Sequence, residues 1–156
     1  MARSFTLRRI LALPAGYAAW VVAFWTPIFL TSLVWLTLRE VGQQFWQEQR
    51  YDIFPTSTLV LFQLVWLLAN AAAGFAAQWV GRSHRLVWIG AGLLFAYFAY
   101  NHWWALWGVM PDWYNVLVVM PVVPMVWFGS FLAGGVTPVP SELAVDARLE
   151  SDARPH

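Results

Sequence analysis

The chain of 156 residues is 60% hydrophobic and only 11% charged, and its formal net charge is +1. Soluble domains are usually ~45–50% apolar and ~25% charged, so this composition provides too little polar surface to cover a water-soluble globule. Cysteine is absent, which excludes disulfides, thiolate metal sites and cysteine nucleophiles. The length suits a single polytopic domain and leaves no room for a soluble catalytic domain beside it.

Four long runs without a charged residue follow one another along the chain. A helix needs ~20 apolar residues to cross a ~30 Å hydrocarbon core at ~1.5 Å per residue. We therefore predict an all-α, polytopic integral membrane protein with about four transmembrane helices. The expected spans are 10–38, 58–80, 86–107 and 113–133, which form a transmembrane domain over 10–135 between an N-terminal segment 1–9 and a polar tail 136–156. A cleaved signal peptide is the alternative for the first run, although the apolar stretch continues well past any cleavage point.

Arginine is unevenly distributed between the turns. A short basic turn with Arg82, His84 and Arg85 separates the second and third runs, and three more arginines precede residue 10. On the other side, Arg39 is accompanied by acids, and the turn at Asp112 has no base. Because positive residues collect in the cytoplasm, we expect both termini to be cytoplasmic, in a bacterial inner membrane. The basic turn acts either as a topology signal alone or also as a binding site for an anionic lipid headgroup.

Two faces carry the small and amide side chains through which helices associate in lipid. In the second run, four polar or small residues fall on one face at 3.6 residues per turn. In the third run, three small residues form a stripe. We predict that both faces are packing surfaces, with Asn70 making either an interhelical hydrogen bond or a substrate contact. The predicted packing residues are Asn70, Gly74, Gln78, Gly92, Ala96 and Ala99, and Gln63 shares the face of the second run.

The connector 39–54 is the most polar internal segment and is rich in glutamine. Its apolar residues recur near helical spacing, so it is expected to continue the first helix or to lie along the interface. It is interpreted as a solvated connector or, alternatively, as a docking surface for a partner protein.

The third run ends in an aromatic girdle that surrounds one histidine. Tyrosine and tryptophan prefer the headgroup boundary, so most of the twelve tryptophans are interpreted as membrane anchors. Trp66 falls nearer the middle of the membrane, where its N–H needs a partner. His102 is a candidate ligand for a haem or a bacteriochlorophyll magnesium, a candidate proton donor to a quinone, or a simple hydrogen-bonding group at the wet boundary. The candidate cofactor-binding residues are His102, Trp104, Tyr100 and Asn70.

The segment 102–107 resembles the single-span light-harvesting polypeptides of bacteria, which place a histidine in an apolar helix ahead of tryptophans. The likeness covers a few residues and departs from those polypeptides in the number of spans, so no function is transferred on it.

The last run contains Pro121 and Pro124 in its middle. A proline removes a backbone donor and its ring displaces a carbonyl, so the helix should be kinked, with the carbonyls near Leu117 and Met120 freed from their usual partners. Broken helices are typical of transporter sites. However, no span contains Asp, Glu, Lys or Arg, the residues that usually mark a substrate or ion pathway.

No catalytic or phosphate-binding motif is present, and no histidine cluster has metal spacing. The leading hypothesis is a non-catalytic accessory subunit of a larger bacterial inner-membrane complex, in contact with membrane lipids and other membrane subunits. The alternative is a binder or carrier of an apolar ligand such as a lipid, a quinone or a pigment, and a haem- or quinone-linked redox subunit is third. No cofactor is required by the sequence, and no basic stripe supports nucleic-acid binding.

Overall fold

The computed structural model describes residues 2–48 and 53–136, and every regular element in these ranges is a helix, which confirms the predicted all-α class. The expected tail lies outside these ranges from residue 137 onward. The elements are α1 (Ala2–Val34), α2 (Leu36–Glu48), α3 (Thr56–Gly81), α4 (His84–Asn101), a π-helical turn (His102–Leu106), α5 (Asp112–Val119) and α6 (Val122–Val136).

Within residues 2–48 and 53–136, three segments are long and apolar enough to cross a membrane: Leu7–Val34, Thr56–Gly81 and Asp112–Gly134. The helix α4 has 18 residues and is not among them. The predicted first span is divided at Trp35. The division is slight, because the Trp35 N–H donates to the Thr31 carbonyl at 2.9 Å and the Arg39 N–H donates to the Trp35 carbonyl at 3.2 Å. Thus α2 continues α1, which is one of the two alternatives that the connector pattern left open.

The first seam of the bundle joins α1 and α3 in antiparallel register. A Cβ built at Gly81 would lie 2.6 Å from the Ala12 Cβ, and one at Gly16 would lie 3.1 Å from the Ala73 carbonyl oxygen and 3.2 Å from the Ala77 Cβ. Small residues at four-residue intervals therefore bring the two backbones close together, which is the main source of helix association in lipid.

The second seam joins α3 and α6, which run parallel. A Cβ at Gly74 would overlap the Val126 carbonyl, and one at Gly129 would overlap the Ala71 carbonyl. The two backbones are thus in direct contact, and each contact depends on a glycine.

An aromatic cluster fills the space beside these seams. The rings of Trp66 and Phe98 meet edge to face with centroids 4.1 Å apart. The ring of Trp20 lies 5.3 Å from that of Trp66 and 5.6 Å from that of Phe98. Phe24 stacks on Trp20 at 5.2 Å. These edge-to-face and stacked contacts are the arrangements that the ring quadrupole favours, and they tie α1, α3 and α4 together.

The small-residue stripe of α4 does not pack against the bundle. Gly92 and Ala96 are exposed, Ala99 is half-buried, and a Cβ at Gly92 would meet nothing within 4 Å. The helix instead buries Val87, Ala91 and Phe98. The stripe therefore does not pack within the described bundle, and its role as a packing surface stays a prediction. Lipid tails are as apolar as the core, so hydrophobicity does not mark the inner face of a helix.

The helix α3 begins at Thr56 and α5 begins at Asp112, each after a proline and without a side-chain cap. Asp112 is the first helical residue of α5 and so complements the helix dipole without capping an N–H. The Thr58 hydroxyl is buried and has no partner among the described residues.

Candidate functional site

The helix break predicted in the last run is present, and α3 compensates for it. The helix α5 ends at Val119 and α6 begins at Val122, although the Met120 N–H still donates to the Val116 carbonyl at 3.0 Å. The ladder is thus interrupted at Pro121. Pro121 has no N–H to offer the carbonyl of Leu117, four residues earlier. The Gln63 side-chain amide of α3 donates to that same carbonyl at 2.7 Å.

The next carbonyl is bonded in the same way. The Trp66 indole N–H donates to the Val118 carbonyl at 2.9 Å, while its ring remains in the aromatic cluster. The Trp66 indole thus has the hydrogen-bond partner that its expected position near the middle of a membrane requires. An unsatisfied backbone group in a membrane interior costs several kcal/mol, so these two side chains make the broken helix tolerable.

The remaining amides of α3 are buried with incomplete hydrogen bonding. Asn70 is fully buried, and its amide N–H donates to the Trp66 carbonyl of the same helix at 2.9 Å. The expected interhelical bond is therefore not made by this group. The side-chain oxygens of Gln63, Asn70 and Gln78 are buried without a partner among the described residues. These acceptors lie on the α3 face that meets α5 and α6.

A cavity of about 490 Å³ lies among α1, α2, α3, the π-helical turn and α5. Apolar walls are formed by residues such as Phe24, Ile28 and Phe62. Polar groups from Ser32, Arg39, Gln43 and His102 also line it. A cavity of this volume, with mainly apolar walls and a few polar groups, is typical of small-molecule sites.

His102 is held in this cavity wall by Asn115. The ring is 8% exposed, and its Nδ1 lies 2.9 Å from the Asn115 Oδ1. The Asn115 amino group donates to the Met110 carbonyl at 3.2 Å and to the Leu106 carbonyl at 3.5 Å, which fixes the orientation of the amide. Because the Asn115 oxygen can only accept, Nδ1 carries the proton of the neutral ring and Nε2 becomes its acceptor.

The four residues predicted to share a cofactor site are not brought together. Tyr100 and Trp104 stack on each other with centroids 6.4 Å apart, and both are mostly exposed. Only His102 lines the cavity, whereas Asn70 lies within the α3 packing face. The arrangement therefore has one candidate ligand-binding residue of the original four.

Sequence reasoning missed Asn115. It is 1% exposed and lies in an apolar run, so its cost of burial in a membrane was a usable signal, the same one that drew attention to Asn70. Its pairing with His102 was not predictable, because the π-helical turn and the loop after it set the spacing between them.

The predicted headgroup residues Arg82, His84 and Arg85 are all exposed where α3 meets α4, at the opposite end of the bundle from the His102 cavity. Among the described residues, no group of three histidine, aspartate or glutamate side chains could hold a metal ion. No family model, curated protein or solved structure matches the chain.

Proposed function

We propose that this chain is a non-catalytic, multi-pass protein of a bacterial inner membrane that binds a lipid-soluble ligand with a polar ring or head in the His102 cavity. The observation that carries the proposal is the buried His102, which Asn115 holds through its Nδ1 at 2.9 Å, in the wall of a mainly apolar cavity. An apolar cavity with one or two oriented polar groups selects amphipathic ligands.

The membrane arrangement belongs to the same proposal. The helix α4 and its π-helical turn together run from 84 to 106, long enough to provide a fourth crossing at ~1.5 Å per residue. With four crossings, the arginines before residue 10 and those of the basic turn lie on one side. That side is cytoplasmic by the positive-inside rule, and so are both termini.

The cavity favours a hydroxylated or quinone-like ring over a tetrapyrrole. Nε2 is proposed to accept a hydrogen bond from a ligand hydroxyl, and Arg39 and Gln43, which also line the cavity, carry donors for a ligand oxygen. A haem between helices usually takes two axial side chains, and His84 lies at the other end of α4. A pigment with one axial histidine is the alternative outcome of the test below.

The test is extraction followed by titration. Protein purified in mild detergent is extracted with organic solvent, and the extract is analysed by absorbance and mass spectrometry. A ubiquinol or menaquinol analogue is then titrated while the unfolding temperature is followed. We expect His102→Ala to abolish the stabilisation and Tyr100→Ala, on the outer surface, to leave it unchanged. Gly42→Leu should weaken binding with His102 intact, because Gly42 lines the cavity and has open space at its Cβ.

The proposal is refuted by an empty extract together with no stabilisation by any analogue in the unaltered protein. An equal loss in Tyr100→Ala and His102→Ala would also contradict it, since only His102 lies in the cavity wall.

A second candidate is an accessory subunit of a larger membrane complex. It is favoured by the outward stripe of Gly92, Ala96 and Ala99, which suits close approach of a helix from another protein. Mass measurement in mild detergent tests it, with Gly92→Leu expected to release a co-purifying subunit. A monodisperse monomer without companions would argue against it.

A further inference from the structure

A second and larger cavity, which the proposed function does not use, lies at the basic end of the bundle. It has a volume of about 690 Å³ and is an apolar groove between α1 and α4 with α3 as its floor. Its walls include Leu13, Val87 and Leu94, and toward the middle of the bundle it is lined by Trp20 and Phe98 of the aromatic cluster and by Trp25.

The helix register places arginine at the mouth of this groove. A Cβ at Gly90 would lie 3.1 Å from a Leu13 methyl, so these two positions are level on the parallel helices α1 and α4. Arg8 precedes Leu13 by five residues, and Arg85 precedes Gly90 by five, which brings both about 7.5 Å beyond that level. The contact between Gly81 and Ala12 holds the basic turn at the same end.

The backbone at the turn presents a further arginine. Arg82 ends α3 in the left-handed region at φ 48°, and its N–H donates to the Gln78 carbonyl at 2.8 Å. Its side chain is exposed, as are those of Arg8 and Arg85. The described carboxylates, which are Glu40, Glu48 and Asp112, all lie at the other end of the bundle. The described residues at the mouth of the groove therefore carry positive charge, and no described carboxylate lies near them.

The depth of the groove matches one leaflet. Phe98 follows Val87 by eleven positions, so the wall between them is about 16 Å of helix. Half of a ~30 Å hydrocarbon core is ~15 Å. An acyl chain that starts at the arginine level would thus end near the aromatic cluster at the middle of the membrane.

We propose that this groove binds one acyl chain of an anionic phospholipid of the cytoplasmic leaflet, with the phosphate between Arg82 and Arg85. The apolar walls accept the chain, and the positive rim selects the charge of the headgroup. Phosphatidylglycerol is the probe that fits both requirements. A turn that serves only as a topology signal would show no such preference.

The experiment is native mass spectrometry of the full chain with phosphatidylglycerol or phosphatidylcholine of identical acyl chains. We expect phosphatidylglycerol to be retained at least ten-fold more tightly. Arg85→Gln should reduce this preference roughly five-fold, since an arginine near an anionic surface contributes about that factor. Arg82→Gln should do the same.

Two glycines of α4 provide a matched test of the groove itself. Gly90 lines the groove, whereas Gly92 does not line it and has open space at its Cβ. Gly90→Leu should weaken the binding of both lipids, and Gly92→Leu should leave both unchanged. Leu93→Trp offers a second way to narrow the groove, because Leu93 lines it and is 62% exposed, so a larger ring there avoids the core.

Equal retention of the two lipids by the unaltered protein would overturn the proposal, as would retention that Gly90→Leu and Leu93→Trp both leave intact. Equal losses in Gly90→Leu and Gly92→Leu would show that the lipid binds elsewhere. These outcomes concern the basic end alone, so they are independent of the His102 cavity.

Discussion

Replacing Trp66 with phenylalanine should destabilise the protein more than the same replacement at Trp20. Both indoles are buried, with 6% and 9% of their surface exposed, and both belong to the aromatic cluster. They differ in hydrogen bonding, because the Trp66 N–H donates to the Val118 carbonyl whereas the Trp20 N–H has no partner among the described residues.

The expected difference in stability between the two variants follows from the hydrogen bonding of the two indoles. Replacing the indole with the smaller phenyl ring removes a similar amount of packing at both sites, so the packing loss largely cancels when the two variants are compared. Trp66→Phe also loses an interhelical hydrogen bond worth ~0.6–2 kcal/mol in a membrane. Trp20→Phe removes a buried N–H without a partner, whose burial costs ~1–3 kcal/mol. The two contributions add, so the free energy of unfolding should fall by roughly 2–5 kcal/mol more for Trp66→Phe than for Trp20→Phe.

The assay is reversible unfolding in bicelles by titration with SDS, followed by far-ultraviolet circular dichroism. Gln63→Met is a useful third variant. It loses the bond to Leu117 but also removes a buried oxygen without a partner, so it should cost less than Trp66→Phe. Equal costs at Trp66 and Trp20, or a larger cost at Trp20, would refute the idea that side chains of α3 stabilise the broken helix.

Three further predictions concern the backbone and the topology. Gly74→Ala and Gly129→Ala should each destabilise the protein by roughly 2 kcal/mol or more in the same titration, because the added methyl overlaps a facing carbonyl. Gly92→Ala should be neutral or should stabilise the protein by up to ~1 kcal/mol. Equal effects at the three sites would contradict the described packing. Arg82→Gly should raise the free energy of unfolding by about 1 kcal/mol, since glycine adopts a φ of 48° without strain. A lower free energy of unfolding would show that the arginine side chain stabilises the protein by more than its backbone strain costs. A fluorescent protein fused to the C-terminus should fluoresce in cells, and alkaline phosphatase fused after Gly108 should be active; the opposite pattern would reverse the assigned topology.

The sequence predicts the polar face of α3 because helical periodicity brings its amides to one side. It also predicts the broken helix, because the chemistry of Pro121 is local and needs no knowledge of the fold. The sequence also predicts that the Leu117 carbonyl lacks its usual backbone donor, and in the structure the Gln63 amide donates to it. Features that depend on one residue type at one backbone position are therefore accessible from the sequence.

The features that the sequence did not predict are those that depend on which way a helix faces. The stripe at Gly92 and Ala96 has the pattern of a packing surface, yet in α4 it faces outward. Lipid offers no penalty for either orientation, so only the neighbouring helices decide it. The contact between His102 and Asn115 likewise depends on the irregular backbone between them, which has no periodic signature.

The bond between Gln63 and Leu117 joins residues 54 positions apart. A ribosome adds ~5–20 residues per second, so the glutamine is made roughly 3–11 s before its acceptor exists. During that interval the Gln63 amide has to be hydrated or bonded to another group, because its acceptor on α5 does not yet exist. We therefore expect α3 to complete its packing only after α5 has been made, so that the association of these two helices is a late step of biogenesis.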